Sequence, residues 1–173
     1  MRLIIGITAL TLAIPAFAGD GITVTMHSVD REGVGDAVGE VEITHNKHGL
    51  VITPALEGLP LGLHGFHLHE HASCAPLEKA GKVTPAGAAG GHYDPEGSGE
   101  HGTPWGDGHR GDLPALFVDA NGNAEYPVLA PRLNLKDLDG RALMVHAGGD
   151  NHSDHPEALG GGGARIYCGV IEK

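Results

Sequence analysis

Histidine is the residue type that points to chemistry in this chain, since thirteen of its 173 residues are histidine. His67 and His69 lie two positions apart in a segment that alternates like a β-strand, and residues two apart on a strand point to the same face. Two imidazoles on one face can bind one metal ion. A His-x-His pair is also a common surface pattern, so this motif needs further ligands before it indicates a site.

A glycine-rich segment offers those further ligands. Residues 87–112 contain nine glycines, and a stretch of 21 residues within them supplies three imidazoles and a carboxylate: His92, His101, His109 and Asp112. This donor set suits a tetrahedral zinc site. His146 ends a separate apolar strand pattern and is the natural additional ligand. We interpret six other histidines as surface or supporting groups: His27, His45, His48, His71, His152 and His155.

The charge of the chain excludes two classes of partner. Lys and Arg number 11 against 22 Asp and Glu, which gives a net charge of −11 with histidine neutral. Such a chain lacks the basic face that binding to nucleic acid requires, and anionic lipid would repel it. The hydrophobic fraction of 40% is still enough for a folded core.

The first eighteen residues have the pattern of a secretory signal peptide. Arg2 gives a positive start, residues 3–17 are mostly apolar, and Ala16-Phe17-Ala18 has the form of a signal-peptidase site. A buried N-terminal helix or a retained anchor is the alternative. We expect export, cleavage after Ala18, no membrane insertion after signal removal, and one mature domain over residues 19–173. Eleven basic residues minus Arg2 leave ten against 22 acidic, a mature net charge of −12.

The two cysteines, Cys74 and Cys168, fit an exported protein. In an oxidising compartment two cysteines most simply form one disulfide. The bond would close a loop of about 95 residues, which in the chain-entropy model stabilises the fold by about 4–5 kcal/mol. Two free thiols or a pair of metal ligands are the alternative, although neither cysteine lies in a Cys-x-x-Cys motif.

Short alternating segments separated by turn residues predict an all-β fold. None has a helical period of any length, and such strands favour an antiparallel sandwich or barrel. The segments 87–112 and 147–163 match no strand pattern, and long irregular segments are usually functional or disordered loops. The predicted strands are 22–29, 38–44, 50–56, 61–70, 116–118, 125–129, 142–146 and 165–171.

Several motifs together resemble one known family, copper,zinc superoxide dismutase, over nearly the whole mature chain. They are Gly65-Phe66-His67-Leu68-His69-Glu70, Gly90-Gly91-His92-Tyr93-Asp94-Pro95, Gly108-His109-Arg110-Gly111-Asp112-Leu113 and Cys168-Gly169-Val170-Ile171. The stretch 148–151 and the glycine run 160–163 resemble the bacterial, periplasmic branch. The resemblance implies an eight-stranded Greek-key β-barrel, an immunoglobulin-like sandwich with two long functional loops.

The resemblance also implies one copper and one zinc ion per subunit. The implied copper ligands are His67, His69, His92 and His146. The implied zinc ligands are His92, His101, His109 and Asp112, so that His92 bridges the two ions. Asp150 would link one copper ligand to one zinc ligand, His67 to His101. The family's disulfide corresponds to Cys74 and Cys168.

The activity implied by the resemblance is disproportionation of superoxide to oxygen and hydrogen peroxide. Copper would alternate between Cu(II) and Cu(I), which imidazole ligands suit, whereas zinc does not change its oxidation state. His92 and Arg165 are the implied catalytic residues. His92 would leave copper on reduction and take up a proton, and Arg165 would attract the anion. The alternative for Arg165 is a salt bridge that pins a loop.

The sequence also suggests roles for three surface features and leaves two other functions open. Lys79 and Lys82 either attract superoxide to this acidic protein or are ordinary solvated lysines. Trp105 predicts a homodimer interface, unless its side chain folds onto its own barrel. His152 and His155 could form a weak extra metal site. The other functions are a periplasmic copper or zinc storage or delivery protein, and a zinc hydrolase, which would need an open ligand position.

Overall fold

The computed structural model describes residues 21–172, so the predicted signal peptide and its cleavage after Ala18 lie outside the described residues. Two short 3₁₀ segments, Gly87–Ala89 and Ala158–Gly161, accompany the strands. Within residues 21–172 we find no helix with the length and apolar character needed to cross a bilayer. The strands are β1 (Ile22–Val29), β2 (Val34–Asn46), β3 (Gly49–Leu56), β4 (Gly62–His64), β5 (Phe66–His69), β6 (Leu77–Lys79), β7 (Lys82–Thr84), β8 (Leu116–Val118), β9 (Val128–Ala130), β10 (Ala142–His146) and β11 (Arg165–Val170).

Alternation of apolar and polar residues explains how the long strands bury one face. In β1, Val24 and Met26 are buried, while Thr23 and Thr25, which alternate with them, are exposed. The alternation changes at a register shift around His27, so that Val29 is buried rather than Ser28. The same pattern in the other strands fills the interior with side chains that include Val41, Ile43, Leu50, Ile52, Phe66, Leu68, Leu143 and Val145.

The strands close into a curled antiparallel barrel. Seven of them form one sheet in the order β5-β10-β11-β1-β2-β3-β9, and β8 pairs with β4, which leads directly into β5. The chain therefore crosses from β3, near one end of the sheet, to β5 at the other, as a Greek-key connection does. Counting β4 and β5 as one bent strand, and setting aside the β6–β7 hairpin, gives eight barrel strands.

Three local features differ from the sequence prediction. The predicted strand 61–70 divides at Gly65, because that residue turns the chain from the β8 pairing to the β10 pairing. The predicted strand 125–129 is reduced to Val128–Ala130, since Pro127 has no amide hydrogen to donate to a ladder. The β6–β7 hairpin was not predicted, and its turn is formed by Ala80 and Gly81, both with positive φ.

The predicted disulfide is confirmed. Cys74 and Cys168 are bonded with their Cα atoms 5.7 Å apart, and no free cysteine is present. Cys74 follows β5 on a long connection and Cys168 lies within β11, so the bond fastens that connection to the barrel. A small apolar cluster that includes Val29, Ala86 and Met144 packs around it.

Candidate metal centre

Strand β5 separates an apolar face from a histidine face. Phe66 and Leu68 belong to the barrel core, while His67 and His69 alternate with them and are also fully buried. β10 pairs with β5 and ends at His146, so the scaffold of the barrel supplies three imidazoles. Side chains on paired strands are held with little freedom, which suits a site that must keep its geometry.

The glycine-rich loop covers these histidines by pairing with β5. The amide of Leu68 donates to the carbonyl of Gly111 at 2.9 Å, and the amide of Tyr93 donates to the carbonyl of Leu68 at 2.8 Å. Only glycine fits at position 111, since a Cβ there would lie 2.3 Å from the Leu68 oxygen. The pairing brings His92 beside His69 and Asp112 beside His67.

Four histidines meet under this cover with one ring nitrogen each available. His67, His69, His92 and His146 offer nitrogens that all lie within 4.8 Å of one another. Within residues 21–172, four of their buried ring nitrogens have no hydrogen-bond partner: Nδ1 of His67 and Nε2 of His69, His92 and His146. Unpartnered buried polar atoms are costly, and four of them in one place fit a metal ion.

The opposite nitrogen of each of these four rings faces an acceptor. The partner oxygens belong to Asp150 for His67 (2.8 Å), the Gly90 carbonyl for His69 (3.0 Å), Asp112 for His92 (2.8 Å) and the Gly163 carbonyl for His146 (3.2 Å). A carbonyl only accepts, so Nδ1 of His69 and of His146 must donate, and in the neutral ring Nε2 then carries a lone pair. This arrangement leaves the free nitrogens as metal donors.

Burial favours the neutral, ligating form of these rings. It lowers the pKa of His67 and His69 well below the usual value, and the neighbouring His92 lowers both further. It lowers the pKa of His92 as well, although hydrogen bonding to Asp112 opposes the shift. Burial also lowers the pKa of His146 to about 4. Rings that resist protonation can bind a metal without competing with protons at neutral pH.

A second group of imidazoles gathers around one carboxylate oxygen. Oδ1 of Asp112 lies 2.8 Å from Nδ1 of His92, 2.9 Å from Nδ1 of His101 and 3.3 Å from Nδ1 of His109. A group whose ligand atoms all lie within 4.8 Å of one another comprises His67, His92, His101 and Asp112. His109, which the sequence analysis assigned to zinc, lies outside that group but contacts the same oxygen. Three imidazoles converging on a buried carboxylate fit a zinc ion.

The carboxylates control the charge of this second group. Burial raises the pKa of Asp112, but hydrogen bonds from His101, His109 and His92 outweigh it and hold this pKa well below the usual range. Burial lowers the pKa of His101, but hydrogen bonds to Asp112 and Asp150 raise it to about 9. The hydrogen bond to Asp112 also raises the pKa of His109. A zinc ion bound to this group would therefore compete with a proton on His101.

Asp150 lies between the two groups. Its Oδ2 accepts from Nε2 of His67 and its Oδ1 from Nε2 of His101, both at 2.8 Å. The backbone comes very close here, because a Cβ on Gly160 would stand 2.0 Å from Oδ1 of Asp150. Gly160 has a φ of +71°, so the glycine run serves both the conformation and the contact.

Arg165 begins β11 and is held beside the four histidines. Its Nη1 donates to the Ala86 carbonyl at 2.7 Å and its Nη2 to the Gly90 carbonyl at 2.6 Å. Both partners are carbonyl oxygens rather than carboxylates, so the predicted alternative of a salt bridge does not describe these contacts. Burial lowers the pKa of Arg165. Its charge contributes to the lowered pKa of His69 and His146, after burial and His92.

His64, which is not among the predicted site residues, supports the centre from β4. Its Nδ1 lies 2.8 Å from the carbonyl of His146, and its Nε2 lies 2.8 Å from the carbonyl of Pro60. The ring thus ties the end of β10 to the connection before β4. The available indication was its position two residues before Phe66, where an apolar residue would continue the alternation. His64 is instead a buried polar residue.

The remaining candidates lie on or near the surface. His152 is partly buried near His101 and Asp150, whereas His155 is exposed. Lys79 and Lys82 are exposed and face each other across the β6–β7 hairpin. Trp105 is 71% exposed, so it does not fold onto its own barrel.

The raised pKa of His101 makes the stability of the metal-free protein depend on pH. The unfolded value is 6.5 and the folded value about 9, so the stabilisation is fully present below pH 6.5. It is lost as pH rises through about 9. We expect the free energy of unfolding of the metal-free protein, measured in urea, to fall over this range, and His101→Gln to reduce the fall. The exposed His48→Gln is the control, and an equal slope in both variants contradicts the prediction.

The chain matches a known family over most of its length. The family model described as copper/zinc superoxide dismutase (SODC) matches residues 37–171. The Cu-Zn superoxide dismutase of Photobacterium leiognathi is 59% identical over 165 residues, which cover 95% of this chain and 93% of that protein. The Cu-Zn superoxide dismutase of Haemophilus parainfluenzae is 56% identical over 157 residues, with coverages of 90% and 84%.

Solved structures give the same result. The Cu/Zn superoxide dismutase from Brucella abortus superposes with a TM-score of 0.86 at 52% identity, covering 88% of this chain and 100% of that one. The solution structure of the monomeric copper, zinc superoxide dismutase from Salmonella enterica gives 0.80 at 50% identity, covering 88% and 99%. Agreement of sequence and fold at this level means that the chain belongs to the copper/zinc superoxide dismutase family.

Proposed function

We propose that this protein is a superoxide dismutase, an oxidoreductase that converts two superoxide anions and two protons into one oxygen and one hydrogen peroxide. The observation that carries the proposal is the group of four unpartnered ring nitrogens with the charge of Arg165 beside it. One place thus combines donors for a redox-active metal with a fixed positive group for a small anion.

The donor sets support copper in the first group and zinc in the second. Copper, when bound, supplies one-electron chemistry by alternating between Cu(II) and Cu(I), and zinc supplies a fixed positive charge. We assign one copper per subunit to His67, His69, His92 and His146. We assign one zinc per subunit to His92, His101, His109 and Asp112. Asp150 would then orient one ligand of each ion, since it contacts both His67 and His101.

His92 is the residue that we assign to proton transfer. Its Nδ1 faces Asp112. Its Nε2 has no partner among the described residues and lies with the free ring nitrogens of the other three proposed copper ligands. The ring is therefore held in place while Nε2 stays available to take up and release a proton. Peroxide formation requires two protons. A proton on Nε2 of His92 would lie next to the position at which His67, His69 and His146 would hold copper.

Arg165 is the residue that we assign to binding the superoxide anion. Its two hydrogen bonds to the Ala86 and Gly90 carbonyls fix the guanidinium without neutralising it. The Gly90 carbonyl also accepts from Nδ1 of His69, so the anion site and a copper ligand share one anchor. A displacement of either group would therefore disturb the other.

Two features support export to the periplasm, the N-terminal sequence and the disulfide. The sequence of the first eighteen residues has the signal-peptide pattern described above. The Cys74–Cys168 disulfide is typical of proteins that fold in an oxidising compartment. We therefore propose cleavage after Ala18 and a mature periplasmic domain, residues 19–173.

The metal dependence of superoxide decay tests the proposed function. With copper and zinc loaded, we expect the mature protein to remove superoxide at roughly 10⁸–10⁹ M⁻¹s⁻¹, near the diffusional ceiling. Zinc alone should give no acceleration. His146→Ala should reduce copper binding and the rate, whereas the exposed His48→Ala should change neither. Absence of acceleration with both metals bound would contradict the proposal and favour metal storage or delivery.

The lysine pair on the β6–β7 hairpin offers a test of electrostatic attraction. Lys79 and Lys82 lie directly opposite each other, and like charges in such a pair destabilise a hairpin. The stability of the hairpin therefore does not explain why both positions are lysine. The hairpin leads into residues 86–90, whose carbonyls hold Arg165. We propose that the pair attracts superoxide.

Replacing both lysines by serine should slow superoxide decay by roughly two- to tenfold at low ionic strength and flatten its salt dependence, because steering acts on the association rate. Lys47→Ser with Lys136→Ser changes the net charge equally at other exposed positions and should have a smaller effect. Equal rates for wild type and the hairpin variant at low salt would remove the pair from the mechanism.

Exposed apolar side chains support a homodimer. Trp105 is 71% exposed, and Leu63 and Phe117 form an exposed cross-strand pair between β4 and β8. Apolar groups of this size on a surface are typical of interfaces. We expect a sedimentation mass of two chains at micromolar concentration, and Trp105→Ser to lower it. A mass of one chain would align this protein with its monomeric Salmonella enterica neighbour instead.

A further inference from the structure

Residues 102–108 form a small lobe on the glycine-rich loop, here called the Trp105 lobe. Its base is narrow, because a Cβ on Gly108 would lie 2.5 Å from the amide nitrogen of Gly102. A turn inside it is closed by the Gly106 amide, which donates to the Thr103 carbonyl at 3.0 Å. Trp105, the only tryptophan of the chain, is exposed on this lobe.

The two residues that flank the lobe both belong to the proposed zinc site. His101 precedes Gly102 and His109 follows Gly108, and both rings direct Nδ1 to the same oxygen of Asp112. The amide of His109 also donates to the Glu100 carbonyl at 2.9 Å, so a backbone hydrogen bond joins the two chain segments at the base of the lobe. A zinc ion bound to both histidines would therefore fasten the base of the lobe.

Arg132, on the segment after β9, binds the lobe through hydrogen bonds to backbone carbonyls. Its Nε donates to the Pro104 carbonyl at 3.1 Å and its Nη1 to the Gly108 carbonyl at 2.8 Å. Its Nη2 donates to the carbonyl of His109. One guanidinium thus contacts the lobe at Pro104 and Gly108 and also contacts the backbone of His109, a proposed zinc ligand. The rigid fork of arginine can make these three contacts at once, whereas a lysine ammonium acts as a point donor.

We propose that Arg132 is a positioning residue that couples the zinc site to the Trp105 lobe, so that zinc binding and a fixed Trp105 surface favour each other. The coupling is reciprocal, because an interaction that holds the lobe for zinc also holds His109 for the lobe. The inference rests on the zinc ligand set of the proposed function. It adds a link from that site to the outer surface of the molecule.

The experiment compares Arg132→Met and Arg132→Lys with Arg31→Met, which removes an exposed arginine in the turn after β1. Each mature protein is loaded with copper and zinc and studied at one concentration at which all have the same sedimentation mass. Zinc release is timed with an excess of a colorimetric chelator. Acrylamide quenching of the Trp105 fluorescence is measured in zinc-loaded and zinc-depleted protein.

We expect wild-type Trp105 to be less readily quenched with zinc than without it. In Arg132→Met, zinc release should be faster by about fivefold or more, the lower end of typical coupling, and the quenching difference should shrink. Arg132→Lys should lie nearer to Arg132→Met than to wild type. A role confined to stability would lower the melting temperature without changing either readout relative to Arg31→Met, and that result would overturn the inference.

Two results keep the inference separate from the function on which it rests. If Arg132→Met does not fold, Arg132→Lys and the wild-type protein test the coupling. Equal quenching of Trp105 in zinc-loaded and zinc-depleted wild-type protein overturns it. His109→Gln tests the ligand set, since it should weaken zinc binding. Unchanged zinc affinity in His109→Gln would contradict the proposed site itself, whereas weakened affinity without a Trp105 response contradicts only the coupling.

Discussion

The structure depends on burying six imidazoles while giving each ring at least one hydrogen-bond partner. A buried ion is costly unless it is paired, and a buried ring nitrogen is costly unless it has a partner. Two carboxylates, Asp112 and Asp150, meet this constraint together with carbonyl oxygens such as that of Gly90. Each of the four proposed copper ligands uses one ring nitrogen for such a contact and turns the other inward. These hydrogen bonds therefore set the direction of the four free nitrogens, and a bound metal would give those nitrogens a partner.

Glycine explains how long irregular loops can cover such a centre. These loops contain few apolar side chains, so backbone contact and polar anchors must order them. Gly111 allows the loop to pair directly with Leu68 of β5, and Gly160 allows the second loop to lie against Asp150. A side chain at either position would push the cover away from the histidines. High glycine content, which in isolation indicates flexibility, here permits close packing of backbone on backbone.

The sequence allowed the ligand candidates and most strands to be predicted, because both depend on local spacing. Strand alternation placed His67 and His69 on one face, and the resemblance identified the loop ligands. Features that depend on tertiary contacts were not predictable in this way. The break at Gly65 results from a change of partner strand. The contact that holds the His64 ring against β10 involves the carbonyl of His146, 82 residues away, and the proposed role of Arg132 depends on a contact with Gly108, 24 residues earlier. No local pattern encodes these contacts.

The disulfide and Arg165 belong to the same junction, which links covalent structure to the proposed anion site. Cys168 and Arg165 both lie on β11. Cys74 and Ala86 lie on the connection after β5, and Gly90 lies at the start of the glycine-rich loop that follows it. The covalent bond fixes one end of this contact and the guanidinium fixes the other. Because the Gly90 carbonyl also orients His69, the junction positions a proposed copper ligand as well. A bond that restricts the unfolded chain thus also limits movement of the guanidinium that we propose binds the substrate.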